Sequence, residues 1–382
     1  MMLLFNLVIL VFLISFLSLL VWNLKLLKRS PKNKKADCDL PFVSVLVPMR
    51  NEEKNAEACI NSLLLLDYPE YEIVVLNDDS TDNTGNILTE LSKKNNKLRV
   101  IENHGLPPGW MGKTYACTLL AEEAKGEFLL FTDADVYHNS KSLKNIVKLS
   151  LEYNADLLSA VPEQIMNSFA EKLLVPFLYF IMFVFLPLFM IRFNKFPRFS
   201  AAIGQYMLFK KQAYEKIGGH GAVEDSIIED VHLARLIKKN NLKLLLIDGT
   251  AYIKCKMYNG LNEIFSGFSK NIFAGLGHSL LLLSAVILIS TILFVYPFFA
   301  LFYYLPNHEQ SLGILYLLLS QIIVIYTMRY LLLLKFKQNF LSVILHPFGM
   351  IMIMILSIRS FWSSAILKEA VWKGRKYRIG ER

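Results

Sequence analysis

Charge is scarce in this chain. Of its 382 residues only 19% are Asp, Glu, Lys or Arg, while 54% are apolar; ordinary soluble domains carry about 25% charge. Mean hydropathy is +0.39. This shortage excludes a disordered chain and an ordinary cytosolic enzyme, because so much apolar surface needs lipid as well as a core. Cysteine is sparse too: Cys38, Cys59, Cys117 and Cys255 lie far apart with no C-x-x-C pair, which excludes a disulfide scaffold and argues against zinc. The first apolar run has no lysine or arginine ahead of it and no small-residue cleavage site after it, unlike a secretory signal. No internal repeat or low-complexity tract is evident.

The charge that is present is clustered. Residues 25–35 hold Lys25, Lys28, Arg29, Lys32, Lys34 and Lys35 without an acid, and the tail from Lys368 sets six cations against Glu369 and Glu381. These segments supply +6 and +4 of the net +9, leaving −1 for everything else. Cations flanking apolar runs are attracted by anionic membrane lipid; they are poor ground for nucleic-acid binding. Positive-inside reasoning gives a multi-pass cell-membrane protein with its soluble domain in the cytoplasm. An anchor at 1–24 starts outside, a basic linker covers 25–40, a soluble domain covers 41–275, membrane helices cover 276–362 and a basic cytoplasmic tail covers 363–382. Two spans fall at about 280–305 and 312–334, joined outside at Pro306-Asn307-His308-Glu309. Run 341–358 is interrupted by His346-Pro347 and is read as re-entrant or interfacial, a fourth full crossing being the alternative. Run 173–191, broken by Pro176 and Pro187, is read as lying in the cytoplasmic interface. No ionisable residue is expected mid-span to mark a transport path.

Between these runs β-branched stretches (42–48, 72–76, 98–102, 127–132) alternate with helical patterns, which implies βαβ units and a parallel sheet. Ligands bind at the carboxyl ends of such strands, and three strands end in polar clusters: Arg50-Asn51-Glu52-Glu53, Asn77-Asp78-Asp79-Ser80 and Asp133-Ala134-Asp135. Two carboxylates two residues apart, directly after a buried strand, can address one hard cation and the phosphate beside it. Mg2+ or Mn2+ prefers such oxygen ligands. The plain alternative is an aspartate that caps a helix. Lys113 follows two glycines and opens a helix, so its ammonium and the backbone donors there suit a diphosphate; a solvated surface lysine is the alternative. Glu229-Asp230 starts a helix and complements its dipole, or carries chemistry.

Pro48-x-x-Asn51-Glu52-Glu53, Asn77-Asp78-Asp79-Ser80-Thr81-Asp82, Asp133-Ala134-Asp135 and Glu229-Asp230 together resemble a family 2 glycosyltransferase of the GT-A fold. Pro108-Gly109-Trp110-Met111-Gly112-Lys113, Gly267-Phe268-Ser269-Lys270-Asn271, His346-Pro347 and Trp372-Lys373-Gly374-Arg375-Lys376-Tyr377 resemble a narrower group, the membrane-bound carotenoid and hopanoid-associated glycosyltransferases. The resemblance implies an α/β, Rossmann-like, mostly parallel sheet in a cytoplasmic domain, plus α-helical transmembrane segments. It implies uridine contacts from Pro48, Asn51, Glu52 and either Asp78 or Asp79, metal ligation by Asp135 with Asp133, and an acceptor pocket shaped by the stretch from Gly204 and Gln205 to Phe209. It implies Asp230 as the base, beside Glu229, and a diphosphate contact from Lys270. Trp372 and Arg375 belong either to a gating tail over the nucleotide or to a lipid-headgroup anchor. The Gln-x-x-Arg-Trp string usual in processive polysaccharide synthases of the family is absent.

The resulting expectation is an enzyme that moves a hexose from a UDP-sugar, with Mg2+ or Mn2+, onto a hydrophobic lipid acceptor. A carotenoid acid comes first, hopanoid, sterol or glycerolipid next, and polysaccharide last. The alternative of another class is a membrane scaffold with an inactive nucleotide fold. One cytoplasmic site requires that 173–191 not cross. Cysteines introduced by Ser168→Cys and Lys195→Cys should both resist an impermeant external thiol reagent; labelling of one alone would show a crossing.

Overall fold

Short β-branched runs bounded by polar turns become strands. In the computed structural model, residues 1–31, 40–193, 196–306, 308–366, 369–373 and 375–378 are described. Cys38, most of the basic linker and parts of the basic tail lie outside them. The chain forms two units, Leu27–Ile165 with Phe189–Met257, and Met1–Leu26 with Met166–Leu188 and Tyr258–Arg382. This division differs from a soluble domain at 41–275, since 166–188 and everything from Tyr258 group with the N-terminal helix.

The unit built on Leu27–Ile165 and Phe189–Met257 contains β1 (Val43–Met49), β2 (Tyr71–Asp78), β3 (Leu98–Asn103), β4 (Phe128–Thr132), β5 (Val136–His138), β6 (Leu157–Val161), β7 (Glu163–Gln164), β8 (Tyr206–Lys210), β9 (Leu244–Asp248) and β10 (Ile253–Cys255). Seven of them make one sheet in the order β3-β2-β1-β4-β8-β6-β9. All neighbours pair in parallel except β8, which runs antiparallel to β4 and β6. Strands β5, β10 and β7 form a small second sheet. Val45, Val47, Ile73, Val75, Leu130, Leu158 and Leu208 are wholly buried in the core, as both-faces-covered parallel strands require. Helices Ala56–Leu64, Thr84–Lys94 and Gly112–Glu123 provide the crossovers.

Two features of this sheet matter for function. Strands β2, β1 and β4 are adjacent and parallel, so the three polar clusters at their carboxyl ends lie side by side. Because β8 is antiparallel, with Tyr206 opposite Thr132, its entry at Gly204-Gln205 reaches that same edge. The rest of that stretch corrects an expectation. Tyr206, Met207, Leu208 and Phe209 are buried at 2% exposure or less, so they are sheet core and do not line an acceptor pocket.

The other unit holds four helices long and apolar enough to cross a membrane: Met2–Leu26, Leu280–Tyr304, Leu312–Phe336 and His346–Ile366. Run 341–358 is interrupted where the sequence indicated: the short helix Leu341–Ile344 stops before His346-Pro347, which opens the fourth long helix, because proline is tolerated in a first turn whose N–H groups have no partner. Run 173–191 is covered by three short helices, Phe169–Leu174, Pro176–Phe185 and Leu188–Phe193, of which everything up to Leu188 belongs to this unit. Asn23 fills the break after Phe185: its amide donates to the carbonyls of Phe183 and Leu186 and its oxygen accepts from the Leu188 N–H. Asn6 and Gln321, both fully buried, join the first and third long helices, the Gln321 amide donating to the Asn6 carbonyl at 2.8 Å.

Arg329 overturns the expectation of spans without a mid-helix ionisable residue. Its guanidinium is fully buried within Leu312–Phe336, stacks over Phe177 and Phe180 and donates to the Ser342 carbonyl at 3.0 Å. That carbonyl belongs to the four-residue helix Leu341–Ile344, which stops too soon to give it a partner in a following turn. Arg329 is the donor that the broken helix needs.

The sheet itself depends on one close approach. A Cβ on Gly126 would lie 2.4 Å from the Ser44 nitrogen and 2.8 Å from the Phe128 carbonyl oxygen, both rigid backbone beside the β1–β4 pairing. Gly126→Ala should lower stability by about 1–3 kcal/mol, the usual cost of overpacking, read as an earlier thermal melt of the purified protein. An unchanged melt would show that the backbone there yields freely.

Candidate active site

The site stands on the carboxyl edge of β1, β2 and β4. After β1 and β2 the chain turns back through Asn51 (φ 51°) and Asp79 (φ 52°), left-handed positions that Asn and Asp accept more readily than most residues. Strain of this kind gathers at functional sites. The two loops are clasped together. Asn51 N–H donates to Ser80 Oγ, Asn51 Oδ1 accepts from Thr81 N–H, and Glu52 N–H donates to Thr84 Oγ1. Arg50 donates to the carbonyls of Asp78 and Asp79 at 2.6 and 2.7 Å. The Asp78 carboxylate is buried and accepts from Asn103 Nδ2 at 2.8 Å, whereas half of the Asp79 side chain is exposed. Pro48 lies in β1 opposite Leu76.

Beside this edge sits a charge cluster. Lys113, in the first turn of Gly112–Glu123, places Nζ 2.7 Å from Asp133 Oδ1 and 2.9 Å from Glu229 Oε1. Burial alone would favour the neutral amine, but the two carboxylates outweigh it and hold the ammonium well above the ordinary lysine range. Lys113 is therefore no solvated surface lysine. Glu229 and Asp230 open helix Glu229–Lys239. Asp230 Oδ2 accepts from the Gly204 N–H at 3.0 Å and its Oδ1 from the Val231 N–H at 2.8 Å. Burial and the charge of Glu229 push Asp230 up to about 6, against the pull of Lys113 and of both N–H donors. Gly204 has no room to spare, since a Cβ there would come within 3.3 Å of Lys113 Nζ and 3.5 Å of Asp230 Oδ2. The neighbouring Gln205 is buried, accepting from Gln164 Nε2 at 2.9 Å and, through its carbonyl, from Thr132 Oγ1.

Asp135 fits a cation. Its buried Oδ1 has no hydrogen-bond partner, and burial, then the charges of Asp133 and Glu52, push its carboxyl up to about 7. Such an oxygen gains from a dication, which removes the like-charge penalty. No group of three or more His, Cys, Asp or Glu side chains that could hold a metal occurs among the described residues. Two carboxylates with room for substrate phosphates is the habit of Mg2+ and Mn2+.

The structure thus gathers Asn51, Glu52, Asp78, Asp79, Lys113, Asp133, Asp135, Gly204, Glu229 and Asp230 in one unit. Lys270 lies in helix Leu261–Gly275 of the other unit, where Trp372 and Arg375 pair in the hairpin Glu369–Trp372 with Arg375–Arg378; the Trp372 side chain lies outside the described residues. Sequence reasoning missed Asn103, which has no motif around it, and the backbone carbonyl of Glu224, which accepts from Met111 N–H and Thr114 Oγ1 and anchors the Lys113 turn. His220 is structural, bonded to Tyr214 at 2.8 Å and packed on Phe131.

A parallel sheet with one reversed strand, carrying a carboxylate pair after β4 and a second acidic pair on a helix start, defines a GT-A glycosyltransferase. Residues 44–218 match the family described as Glycosyl transferase family 2, so the chain carries a family 2 glycosyltransferase domain and is a transferase enzyme. It is 25% identical over 351 residues to a 4,4'-diaponeurosporenoate glycosyltransferase of Staphylococcus aureus (strain MRSA252), covering 89% of each chain. A protein of the same description from Staphylococcus haemolyticus (strain JCSC1435) is 27% identical over 242 residues, 61% of each chain. Over 118 residues, 30% of this chain and 25% of the relative, identity reaches 36% with a beta-monoglucosyldiacylglycerol synthase of Nostoc sp.. Among solved structures, the mannosyltransferase PcManGT from Pyrobaculum calidifontis, in complex with GDP-Man and Mn2+, shares the fold. Its TM-score is 0.57 at 17% identity, with 97% of this chain and 100% of that one covered.

Proposed function

We propose that the protein is a membrane-bound inverting glycosyltransferase that moves a hexose, glucose first, from a UDP-sugar to a lipid acceptor, and that the acceptor is a carotenoid acid. The carrying observation is the arrangement of Lys113 between Asp133 and Glu229 with Asp230 held next to it. Four helices long and apolar enough to cross a membrane and the diaponeurosporenoate relatives support a hydrophobic acceptor handled at a membrane. Basic clusters at 25–35 and in the tail from Lys368, each next to an apolar run, support a cytoplasmic orientation.

In this reading the clasped loops after β1 and β2 hold the uridine, with Pro48, Asn51 and Glu52 along one side and Asp79 as the reachable carboxylate. Asp78 acts beneath it as the support that fixes Asn103. Asp133 and Asp135 would hold Mg2+ or Mn2+, which supplies charge neutralisation for the leaving diphosphate. Lys113 adds a positive charge to that diphosphate. The N–H groups of Gly204 and Val231 fix the Asp230 carboxylate so that a free lone pair faces the acceptor. Asp230 takes the acceptor's proton as the general base; a carboxyl near 6 is largely ionised at neutral pH yet basic enough to serve. Lys113 pairs with Glu229 and turns it away from that role.

The glycerolipid reading has one observation in its favour, the 36% identity to the Nostoc enzyme, and the two acceptors make opposite demands on Asp230. An alcohol must lose its proton in the reaction, whereas a carboxylic acid is already ionised. Asp230→Asn should cost roughly 10²–10⁴-fold in turnover with an alcohol acceptor, and far less with an acid, with UDP affinity unchanged in both. With an alcohol acceptor, wild-type turnover should fall as pH drops through about 6, because protonated Asp230 cannot accept; the variant should lack that limb. Weakened UDP binding at unchanged saturated turnover would move Asp230 to the donor site.

The activity itself is tested by UDP release from UDP-glucose in membranes containing the protein, paired with mass spectra of lipid extracts. A carotenoid acid gaining one hexose supports the reading. A hexose gained only by glycerolipid selects the alternative, and no sugar-nucleotide turnover with either would overturn both.

A further inference from the structure

The geometry of Lys113 points to a task beyond contacting the donor. We infer that Lys113 is a displaceable internal counter-ion that occupies the cation-facing oxygen of Asp133 in the nucleotide-free protein, and so makes metal binding conditional on the donor diphosphate. This rests on the reading of Asp133 and Asp135 as the metal carboxylates.

Three observations carry it. First, Nζ lies 2.7 Å from Asp133 Oδ1, so a dication seeking that oxygen meets an ammonium already in place, and the like charges oppose each other. Second, the ammonium has a second anchor ready at Glu229, 2.9 Å away. It can therefore leave Asp133 without entering bulk water or losing all compensation. Third, one ammonium serves the whole carboxylate group, with Lys113 touching Asp133 and Glu229 and its charge reaching Asp230 and Asp135 from farther away. The Lys113 side chain is only 23% exposed and that of Glu229 only 11%, so solvent screening is weak. The absent side chain at Gly204 leaves Nζ the space in which to shift.

A UDP diphosphate reverses the balance. Its negative charge gives Lys113 a new partner at the helix start Gly112-Lys113, where backbone N–H groups also favour anions. Once Lys113 turns to the phosphate, Asp133 Oδ1 joins the unpartnered Asp135 Oδ1 as a cation ligand. The protein would then load metal and nucleotide as one event, and an empty site would not collect a dication that polarises water beside a bound lipid.

The test measures Mn2+ affinity by electron paramagnetic resonance on purified full-length protein in detergent, with and without UDP. Wild-type protein should bind Mn2+ weakly alone and about 10–100-fold more tightly with UDP, within the range of ordinary site-to-site coupling. Lys113→Met should bind Mn2+ at least about 10-fold more tightly than wild type without UDP, lose most of the coupling, and bind UDP more weakly. Lys113→Gln, which keeps a hydrogen bond to Asp133 without the charge, should behave alike, and Lys113→Arg should restore the wild-type pattern. Thermal melts identify any variant that fails to fold. A purely structural lysine would leave Mn2+ affinity unchanged or weakened in the Met and Gln variants while Mn2+–UDP binding to wild type remained intact, and that result would overturn the inference alone. Absence of Mn2+ binding to wild-type protein even with UDP would instead overturn the donor-site reading on which it rests.

Discussion

One ammonium organises the active edge of this enzyme. Lys113 stands at the start of a helix, Asp133 in the turn after β4 and Glu229 at the start of another helix, and these three pieces are far apart in sequence. Without a cation between them, Asp133, Asp135, Glu229 and Asp230 would repel one another across a poorly solvated gap, and the turns that carry them would be driven apart. With it, the acids keep different characters. Glu229 is paired, Asp230 is held by backbone N–H groups, and Asp135 is left with an unpartnered oxygen. Division of labour among like residues arises here from placement of one opposite charge and a few amides.

The sheet makes that placement possible. Three parallel neighbours deliver their polar ends to one edge, and the single reversed strand delivers Gly204 to the same edge from the opposite direction. A parallel strand in β8's position would have brought Lys210 there instead. Gly204 then combines an N–H bonded to Asp230 with the absence of a side chain that would crowd Lys113.

Much of this was legible in the sequence, and what was not has physical causes. Local signals worked where the information is local. Alternating strand and helix patterns located β1 to β4, and the carboxylate pair at 133 and 135 announced itself by spacing. Strand β8 was missed because Tyr206-Met207-Leu208-Phe209 is short and continuously apolar, a pattern whose direction and depth only pairing decides. The partners of Lys113 were invisible because they lie at separations that no motif spans. His346-Pro347 does mark a break in run 341–358, and what the sequence left open is that the helix it starts is long enough to cross a membrane. Arg329 was overlooked inside an apolar run. Its partners are aromatic faces and a backbone carbonyl, which leave no complementary charge in the sequence to find.

The buried pairing of Asn6 with Gln321 has a consequence for how the N-terminal helix should be regarded. In hydrocarbon an apolar helix has no preferred face, since every face is equally at ease with lipid tails, and polar or small contacts decide which side meets a neighbour. Here the Gln321 amide reaches both the carbonyl and the side-chain oxygen of Asn6, while the Asn6 amide reaches the Tyr296 hydroxyl. Those bonds fix the rotation and the height of Met2–Leu26 against the third long helix. A foreign hydrophobic segment of equal length would supply attachment but no such address. The N-terminal helix is therefore a keyed part of the assembly, and its identity is written in two buried asparagines, Asn6 and Asn23.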